Sequence, residues 1–113
     1  MDIEAMRARL IRRRAEIEAE DEQAASARET VVLDQTSVGR LSRMDALQGQ
    51  QMALAAQRRR QGELVRIDQA LQRMERGEYG ACVSCGEDIE PKRLEFDPAV
   101  PTCLRCASKL QAR

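Results

Sequence analysis

Residues 82–106 read CVSCGEDIEPKRLEFDPAVPTCLRC and contain all four cysteines of the chain. They form two Cys-x-x-Cys pairs, Cys82 with Cys85 and Cys103 with Cys106, which are separated by 17 residues. This spacing suits a zinc site with four thiolate ligands, because each pair can supply two corners of a tetrahedron. The chain has no histidine, so no imidazole can take part. The segment therefore predicts a four-cysteine zinc site.

The ligand set indicates what the zinc does. A catalytic zinc keeps one coordination position open for water or substrate, whereas four thiolates fill the tetrahedron. We therefore expect one structural zinc ion per chain. The alternatives are a redox dithiol and four unrelated thiols. A redox pair usually needs one Cys-x-x-Cys at a strand–helix junction, and this sequence has two pairs that can face each other.

The residues around the cysteines predict a small finger. Gly86 follows Cys85 and suits the positive φ angle that ends a metal knuckle. The sequence from Cys103 onward, CLRCASKLQAR, predicts a short terminal helix. The sizeable apolar residues of this region, which we expect to form its core, are Ile89, Leu94, Phe96 and Val100. So small a core depends on the metal for its folding.

The composition excludes several classes of protein. Only Tyr79 and Phe96 are aromatic and 34% of residues are charged, so the apolar side chains are expected to line a narrow seam. The formal net charge is zero, which argues against binding nucleic acid mainly through phosphate neutralisation. No apolar run is long enough for a membrane span, and the N-terminus lacks the apolar region of a secretory signal. We expect a cytoplasmic protein, in which stable disulfides are rare.

The residues before the finger have the periodicity of a coiled coil. From residue 2 to about 32, apolar or small side chains recur every seven positions, at Ile3, Leu10, Ile17, Ala24 and Val31. A second helix is predicted from about Leu41 to Arg76. Its expected seam consists of Leu41, Met44, Leu47 and Leu54, followed by Leu64, Ile67, Leu71 and Met74.

Neither helix has a seam wide enough to be stable alone, so we expect them to pair as an antiparallel hairpin. The predicted fold class is mostly α. A coiled-coil hairpin spans residues 1–76 with its tip at about 33–42, and residues 77–113 form the zinc finger with its short terminal helix. We expect a monomer; a parallel dimer of bent helices is the alternative architecture.

Charge is distributed unevenly between the two helices. Residues 1–33 carry eight acids and six arginines, whereas residues 40–76 carry eight arginines and four acids. Pairing between the helices accounts for most of this difference. The run Arg58, Arg59 and Arg60 exceeds what pairing needs, because three successive residues cannot all face one helix. It is either a solvated face or a contact with a partner.

The segment RGEYGACVSCGEDIEPKRLEFDPAVPTCLRC resembles the zinc finger of the DksA/TraR C4-type family. The shared features are the Gly-x-Tyr-Gly lead at Gly77, the Cys-Val-Ser-Cys-Gly knuckle, Ile89, the Arg93-Leu94 pair, a proline at 98 or 101, and the closing Cys-x-x-Cys. The preceding two-helix hairpin is also the DksA arrangement. The resemblance therefore covers nearly the whole chain and is to the compact, DksA-like group of this bacterial family.

The resemblance implies a function. DksA-type proteins bind RNA polymerase, insert the coiled-coil tip into its secondary channel and alter the stability of promoter complexes, with no DNA contact required. It implies tip contacts at Asp34, Ser37 and Arg40, and we add Arg58–Arg60 on the helix. DksA carries two aspartates three residues apart near its tip, followed closely by an alanine, whereas this chain offers Asp34 alone. That departure predicts a modest effect on promoter complexes.

Two other functions remain open on the sequence. A zinc-stabilised coiled-coil adaptor would use the same parts to bind a different protein. A direct nucleic-acid binder would use the finger and the arginine run. An enzyme is not expected, since the sequence shows no acid–base pair, no activated nucleophile and no glycine-rich phosphate loop.

Overall fold

The structure, a computed structural model, describes residues 2–34 and 43–111, with the side chains of residues 2–26 and 43–111. It has four helices, which are α1 (Ile3–Asp34), α2 (Arg43–Glu75), α3 (Pro91–Phe96) and α4 (Leu104–Gln111). Over these residues there is no strand, and one isolated bridge pairs Ala81 with Asp88. The predicted mostly α class is confirmed. None of the helices described is long and apolar enough to cross a membrane.

The two long helices pair as the antiparallel hairpin that was predicted. The Asp2 carboxylate accepts a hydrogen bond from the Ala5 N–H at 3.1 Å and so caps the start of α1. Ion pairs then join Arg14 to Asp68 and Asp21 to Arg60. Residue numbers rise along α1 as they fall along α2, which is the register of an antiparallel pair. Residues 35–42, which include the predicted seam residue Leu41, lie outside the described part.

The chain divides into two compact units. The finger unit consists of Met1–Arg14 and Leu64–Arg113, and the helical unit consists of Ala15–Glu63. The start of α1 and the end of α2 thus group with the finger. In the finger unit these helix segments bury Leu10, Ile67, Ala70 and Met74. The predicted domain boundary after residue 76 stays a prediction.

In the helical unit, the seam of α2 differs from the predicted one. Met44, Leu47 and Leu54 were expected to be buried and are exposed. The half-buried positions include Ala53, Ala56, Arg60 and Glu63, and the same three-and-four spacing leads on to the buried residues 67, 70 and 74. The prediction of this part of the seam was wrong because the large apolar residues lie on one stripe of α2 while a second stripe, with two alanines and two charged residues, is the half-buried one. Apolar spacing alone does not say which stripe is buried.

The finger has a core of its own, with one exception to the prediction. Ile89, Leu94 and Val100 are buried together with three cysteines, and Tyr79 packs against them. Phe96, the fourth expected core residue, is 90% exposed. It is the last residue of α3, where Leu94 already fills the inward position. The prediction that Phe96 is a core residue was wrong.

Candidate metal centre

The four cysteine sulfurs converge at one point of the finger. Each of Cys82, Cys85, Cys103 and Cys106 offers one sulfur, and the four sulfurs lie within 4.8 Å of one another. The sulfurs of Cys85 and Cys103 are 3.8 Å apart. Four sulfurs at about 2.3 Å from a tetrahedral zinc are separated by about 3.8 Å. That separation is far longer than a disulfide bond, and all four thiols are free.

The first cysteine pair sits in a tight knuckle held by backbone hydrogen bonds. The Gly86 N–H donates to the Cys82 carbonyl at 2.9 Å, and the Cys82 N–H donates to the Glu87 carbonyl at 2.7 Å. Gly86 has a φ angle of 79°, as the sequence predicted. A side chain at this φ angle is strained, so glycine lets the chain turn back around Cys82 and Cys85.

The second cysteine pair is placed by the start of α4. Cys103 precedes the helix and Cys106 lies in its first turn. Glu90, 14 positions earlier, caps this helix: both of its carboxylate oxygens accept from the Leu104 N–H, at 3.2 and 3.3 Å. A carboxylate at a helix N-terminus is favourable because of the free N–H groups and the helix dipole.

Two further hydrogen bonds hold the knuckles in position. The Arg93 Nε donates to the Thr102 carbonyl at 2.9 Å, which fixes the chain just before Cys103. The Val83 N–H donates to the Pro101 carbonyl at 2.9 Å. The latter bond joins the first knuckle directly to the segment that leads into the second. Hydrogen bonds of the finger backbone and of the Arg93 side chain therefore bring the two cysteine pairs together by contacts that are separate from the sulfurs.

The metal-free thiols differ in acidity. Burial works to raise the pKa of Cys82, but the backbone N–H groups of Cys103, Cys85 and Ser84, together with the Cys85 side chain, stabilise its thiolate and lower the pKa to about 6. The pKa of Cys106 is raised to about 12, first by its hydrogen bond with the Cys103 sulfur, then by burial and the other two sulfurs. Of these two thiols, Cys82 therefore loses its proton first.

The cysteine cluster acts electrostatically on Arg105. Its pKa is raised, first by a hydrogen bond with the Cys85 sulfur and then by the charges of Cys85, Cys103 and Cys106. Four thiolates around Zn²⁺ carry a net charge of about −2, which an adjacent guanidinium partly offsets.

The donor set fits a structural zinc ion, and this predicted cofactor is confirmed. Four sulfurs complete the tetrahedron, so no position remains for a substrate. Three of the four cysteines are buried, and Cys85 is exposed. Zinc held by these residues would cross-link the two knuckles and so stabilise the small core around Leu94.

A second polar feature lies where the helices meet the finger. The Tyr79 hydroxyl donates to the Pro98 carbonyl at 2.8 Å. Burial raises the pKa of Tyr79, although the charges of Arg73 and Arg9 oppose the shift. Arg73 itself is buried near the end of α2, and its Nη2 has no hydrogen-bond partner among the residues described. Burial also lowers the pKa of Arg73, with the charge of Tyr79 as the main opposing effect.

The predicted partner-binding residues are spread along the helices. Asp34 is the last residue of α1, and its side chain lies outside the described part, as do the whole of Ser37 and Arg40. Arg58 and Arg59 are exposed on α2. Arg60 is partly buried and forms an ion pair and hydrogen bond with Asp21. The structure thus separates the arginine run into two exposed members and one that stabilises the hairpin.

Sequence reasoning missed two residues that shape the site. Glu90 caps a helix 14 residues away, and no local pattern announces such a contact. The Pro91 that follows does signal the start of α3, where proline is favoured at the first helical position. Arg73 occupies a buried seam position, where an arginine is not expected from the apolar periodicity.

Comparisons with known proteins agree with this geometry. Residues 77–112 match the profile of the prokaryotic dksA/traR C4-type zinc finger. The structure is similar to that of transcription factor DksA2 from Pseudomonas aeruginosa, with 26% sequence identity and a TM-score of 0.80 over 97% of this chain and 83% of that one. The chain is also 42% identical over 45 residues to an uncharacterized protein of Aquifex aeolicus (strain VF5).

The match to the Aquifex protein covers 40% of this chain and 31% of the length of that protein. The predicted resemblance is confirmed: residues 77–112 form a finger of the dksA/traR type, and the similarity of fold extends across the hairpin.

Proposed function

We propose that this chain is a DksA-like transcription regulator of the cytoplasm that binds RNA polymerase through the secondary channel and modulates promoter complexes. The observation that carries the proposal is the similarity to a transcription factor over 97% of the chain, at a TM-score of 0.80. That similarity includes the hairpin as well as the finger. Neither the matched family nor the similar structure belongs to a class of enzymes.

In this proposal the finger is an anchor that positions the hairpin. The zinc and the backbone bonds around it make the finger rigid, and rigid elements hold binding residues more accurately than loops do. The end of α2 packs in the same unit as the finger, since Ile67 and Met74 are buried there. A change in the finger would therefore affect binding by moving the helix ends rather than by removing a contact.

The contacts with polymerase are assigned to two places. At the hairpin tip we propose Asp34, Ser37 and Arg40, which would act near the polymerase catalytic centre. On the helix we propose Arg58 and Arg59, which are exposed. Arg60 is engaged by Asp21, and its contribution to binding would be indirect.

The proposal is tested by measuring binding and regulation on the same variants. We expect the zinc-loaded protein to bind purified RNA polymerase and to change the lifetime of promoter complexes in transcription in vitro. Asp34→Asn removes one charge and nearly preserves shape. It should leave affinity within a few fold but weaken the effect on lifetime. Asp45→Asn is a matched control, because Asp45 is an exposed aspartate in the first turn of α2.

Each outcome decides between named alternatives. If Asp34→Asn behaves as the wild type in both assays, Asp34 only ends α1 and the tip assignment is wrong. If the wild type does not bind polymerase at all, the proposed function fails and the adaptor interpretation replaces it. Binding to duplex DNA in the absence of polymerase would instead favour a nucleic-acid binder.

A further inference from the structure

The first half of α2 exposes large apolar side chains in an ordered line. Met44, Leu47, Gln51, Leu54 and Arg58 follow one another at intervals of three, four, three and four residues. We call these five residues the outer stripe. Its apolar members are 75%, 58% and 42% exposed at Met44, Leu47 and Leu54. A single exposed apolar residue is ordinary, but three at the spacing of a coiled-coil seam form a surface for packing another helix.

The outer stripe cannot turn inward without breaking contacts that the structure shows. The face of α2 toward α1 is occupied by Ala53, Ala56 and Arg60, which are half-buried. Arg60 forms its ion pair with Asp21 of α1, and the Gln61 side chain donates to the same carboxylate at 3.4 Å. These contacts fix the rotation of α2 about its axis. Among the described residues of the helical unit, the outer stripe therefore remains exposed.

The charges on this face select the occupant. Arg43 precedes the outer stripe and Arg58 ends it, and the five stripe positions contain no acid. Arg58 is exposed and makes no ion pair with a residue that the structure describes. A helix that covers this face gains most if acidic residues flank its own apolar stripe.

A second copy of the chain is a poor occupant on the same grounds. A parallel copy would place Arg58 against Arg58. An antiparallel copy that aligns Leu47 with Leu54 would place Arg43 against Arg58 at both ends. Like charges in direct opposition destabilise helix pairs. These two arrangements are therefore unfavourable for self-association through the outer stripe.

We propose that the outer stripe binds an acidic amphipathic helix of a partner protein. The stripe covers 15 residues of α2, which is about 21 Å of helix, so the contact is small and belongs to the weak or transient class. The inference deepens the proposed function and rests on it only for the identity of the partner, which would then be a helix of RNA polymerase.

The probe is a labelled synthetic helical peptide that carries leucines at three-and-four spacing with glutamates on both flanks. A second peptide has lysine in place of every glutamate. Fluorescence anisotropy with the full zinc-loaded chain should show binding of the glutamate peptide. The lysine peptide should bind at least about tenfold more weakly, since its cations would face Arg43 and Arg58. A tenfold loss of affinity corresponds to about 1.4 kcal/mol of binding free energy.

Two matched pairs of variants locate the binding face. Leu54→Ser removes a stripe residue, whereas Met52→Ser removes a methionine that is 72% exposed but lies off the stripe. Arg58→Glu reverses a stripe charge, whereas Arg59→Glu reverses its exposed neighbour off the stripe. We expect the two stripe variants to weaken binding of the glutamate peptide by about tenfold and the two controls to change it by less than about twofold. Circular dichroism checks that helicity is equal in all four.

The proposal is overturned if the glutamate peptide does not bind, if both peptides bind equally, or if stripe and control variants behave alike. It is also overturned if sedimentation shows a dimer that Leu54→Ser abolishes, since the occupant would then be a second copy. Polymerase binding by the same variants separates the two proposals. Loss of polymerase binding in Leu54→Ser but not in Met52→Ser supports both; the arginine pair serves only the peptide assay, because Arg59 is itself a proposed polymerase contact. Peptide binding with no binding of wild type to polymerase supports the stripe and overturns the proposed function.

Discussion

The two units of this chain use the same helix in different ways. In the finger unit, α2 buries Ile67 and Met74 against a core that also includes Leu10. In the helical unit it presents alanines to α1 and leaves Met44 and Leu47 exposed. The difference teaches that spacing creates apolar stripes, whereas the shape and size of the facing surface determine which stripe is buried.

The sharpest test of the comparison is removal of a zinc ligand. Cys103→Ser should abolish stoichiometric zinc binding and disorder the finger from about residue 80, because its core is too small to fold without the metal. The helicity of the helical unit should remain, since Ala53, Ala56 and the ion pair of Asp21 with Arg60 do not involve the finger. Metal analysis and hydrogen exchange measure the two effects.

Val83→Ser is the matched control for this variant. Val83 is exposed and lies in the first knuckle but is not a zinc donor. The Val83→Ser variant should retain one zinc per chain, and its finger should remain protected from hydrogen exchange. Protection of the finger after complete chelation of the metal would show that the core around Leu94 is sufficient by itself, and the contrast between the units would then be lost.

The next test compares a buried and an exposed residue of α2. Ile67→Ala should lower the free energy of unfolding by about 2–4 kcal/mol, because it removes a fully buried side chain and leaves a cavity. Leu47→Ala, at an exposed position of the helical unit, should change it by less than about 0.5 kcal/mol. Urea denaturation followed by circular dichroism gives both values. Equal losses would mean that Leu47 is in the seam after all.

The smallest expected effect concerns Tyr79, within the finger unit. Tyr79→Phe should lower the free energy of unfolding by about 0.5–1.5 kcal/mol, because the Pro98 carbonyl loses its hydrogen-bond donor. The pKa of Tyr79 is raised above its ordinary value of 10.0, so its neutral form contributes stability that is fully present below pH 10 and is lost as pH rises through the folded pKa. The stability difference between wild type and Tyr79→Phe should therefore shrink with alkaline pH.

Tyr79 is the only tyrosine and the chain has no tryptophan, so the long-wavelength ultraviolet band of tyrosinate, where cysteine thiolates do not absorb, reports its ionisation alone. The pH at the midpoint of the absorbance titration should be higher for the folded protein than for the denatured chain. Coincident midpoints would show that burial of this hydroxyl has no energetic consequence.

The metal site was predictable because its signal is local. Four cysteines at fixed spacing and Gly86 after the first pair determine the ligand set and the knuckle without knowledge of the rest of the fold. The helices were predictable for a similar reason, since their periodicity extends over many turns. Their observed bounds differ from the predicted ones by one or two residues at the ends of α1 and α2.

The errors arose where burial depends on distant residues. Phe96 is as apolar as a core residue should be, but Leu94 fills the inward position of a helix that is only six residues long. Met44 and Leu47 have seam spacing, but small residues face α1 instead. The cap that Glu90 supplies to α4 depends on a contact 14 positions along the chain, which periodicity cannot show.

That cap has a consequence for how fast the metal leaves. Glu90 bound to the Leu104 N–H, with Arg93 bound to the Thr102 carbonyl, closes the loop between the cysteine pairs through contacts that do not use zinc. If Cys103 and Cys106 dissociated from a bound ion, these contacts would keep their sulfurs near it at a high effective concentration. The two cysteines would then rebind before the other pair released the ion. Loss of a bound zinc ion would then require both pairs to open together, and we expect unfolding of the loop to set its residence time.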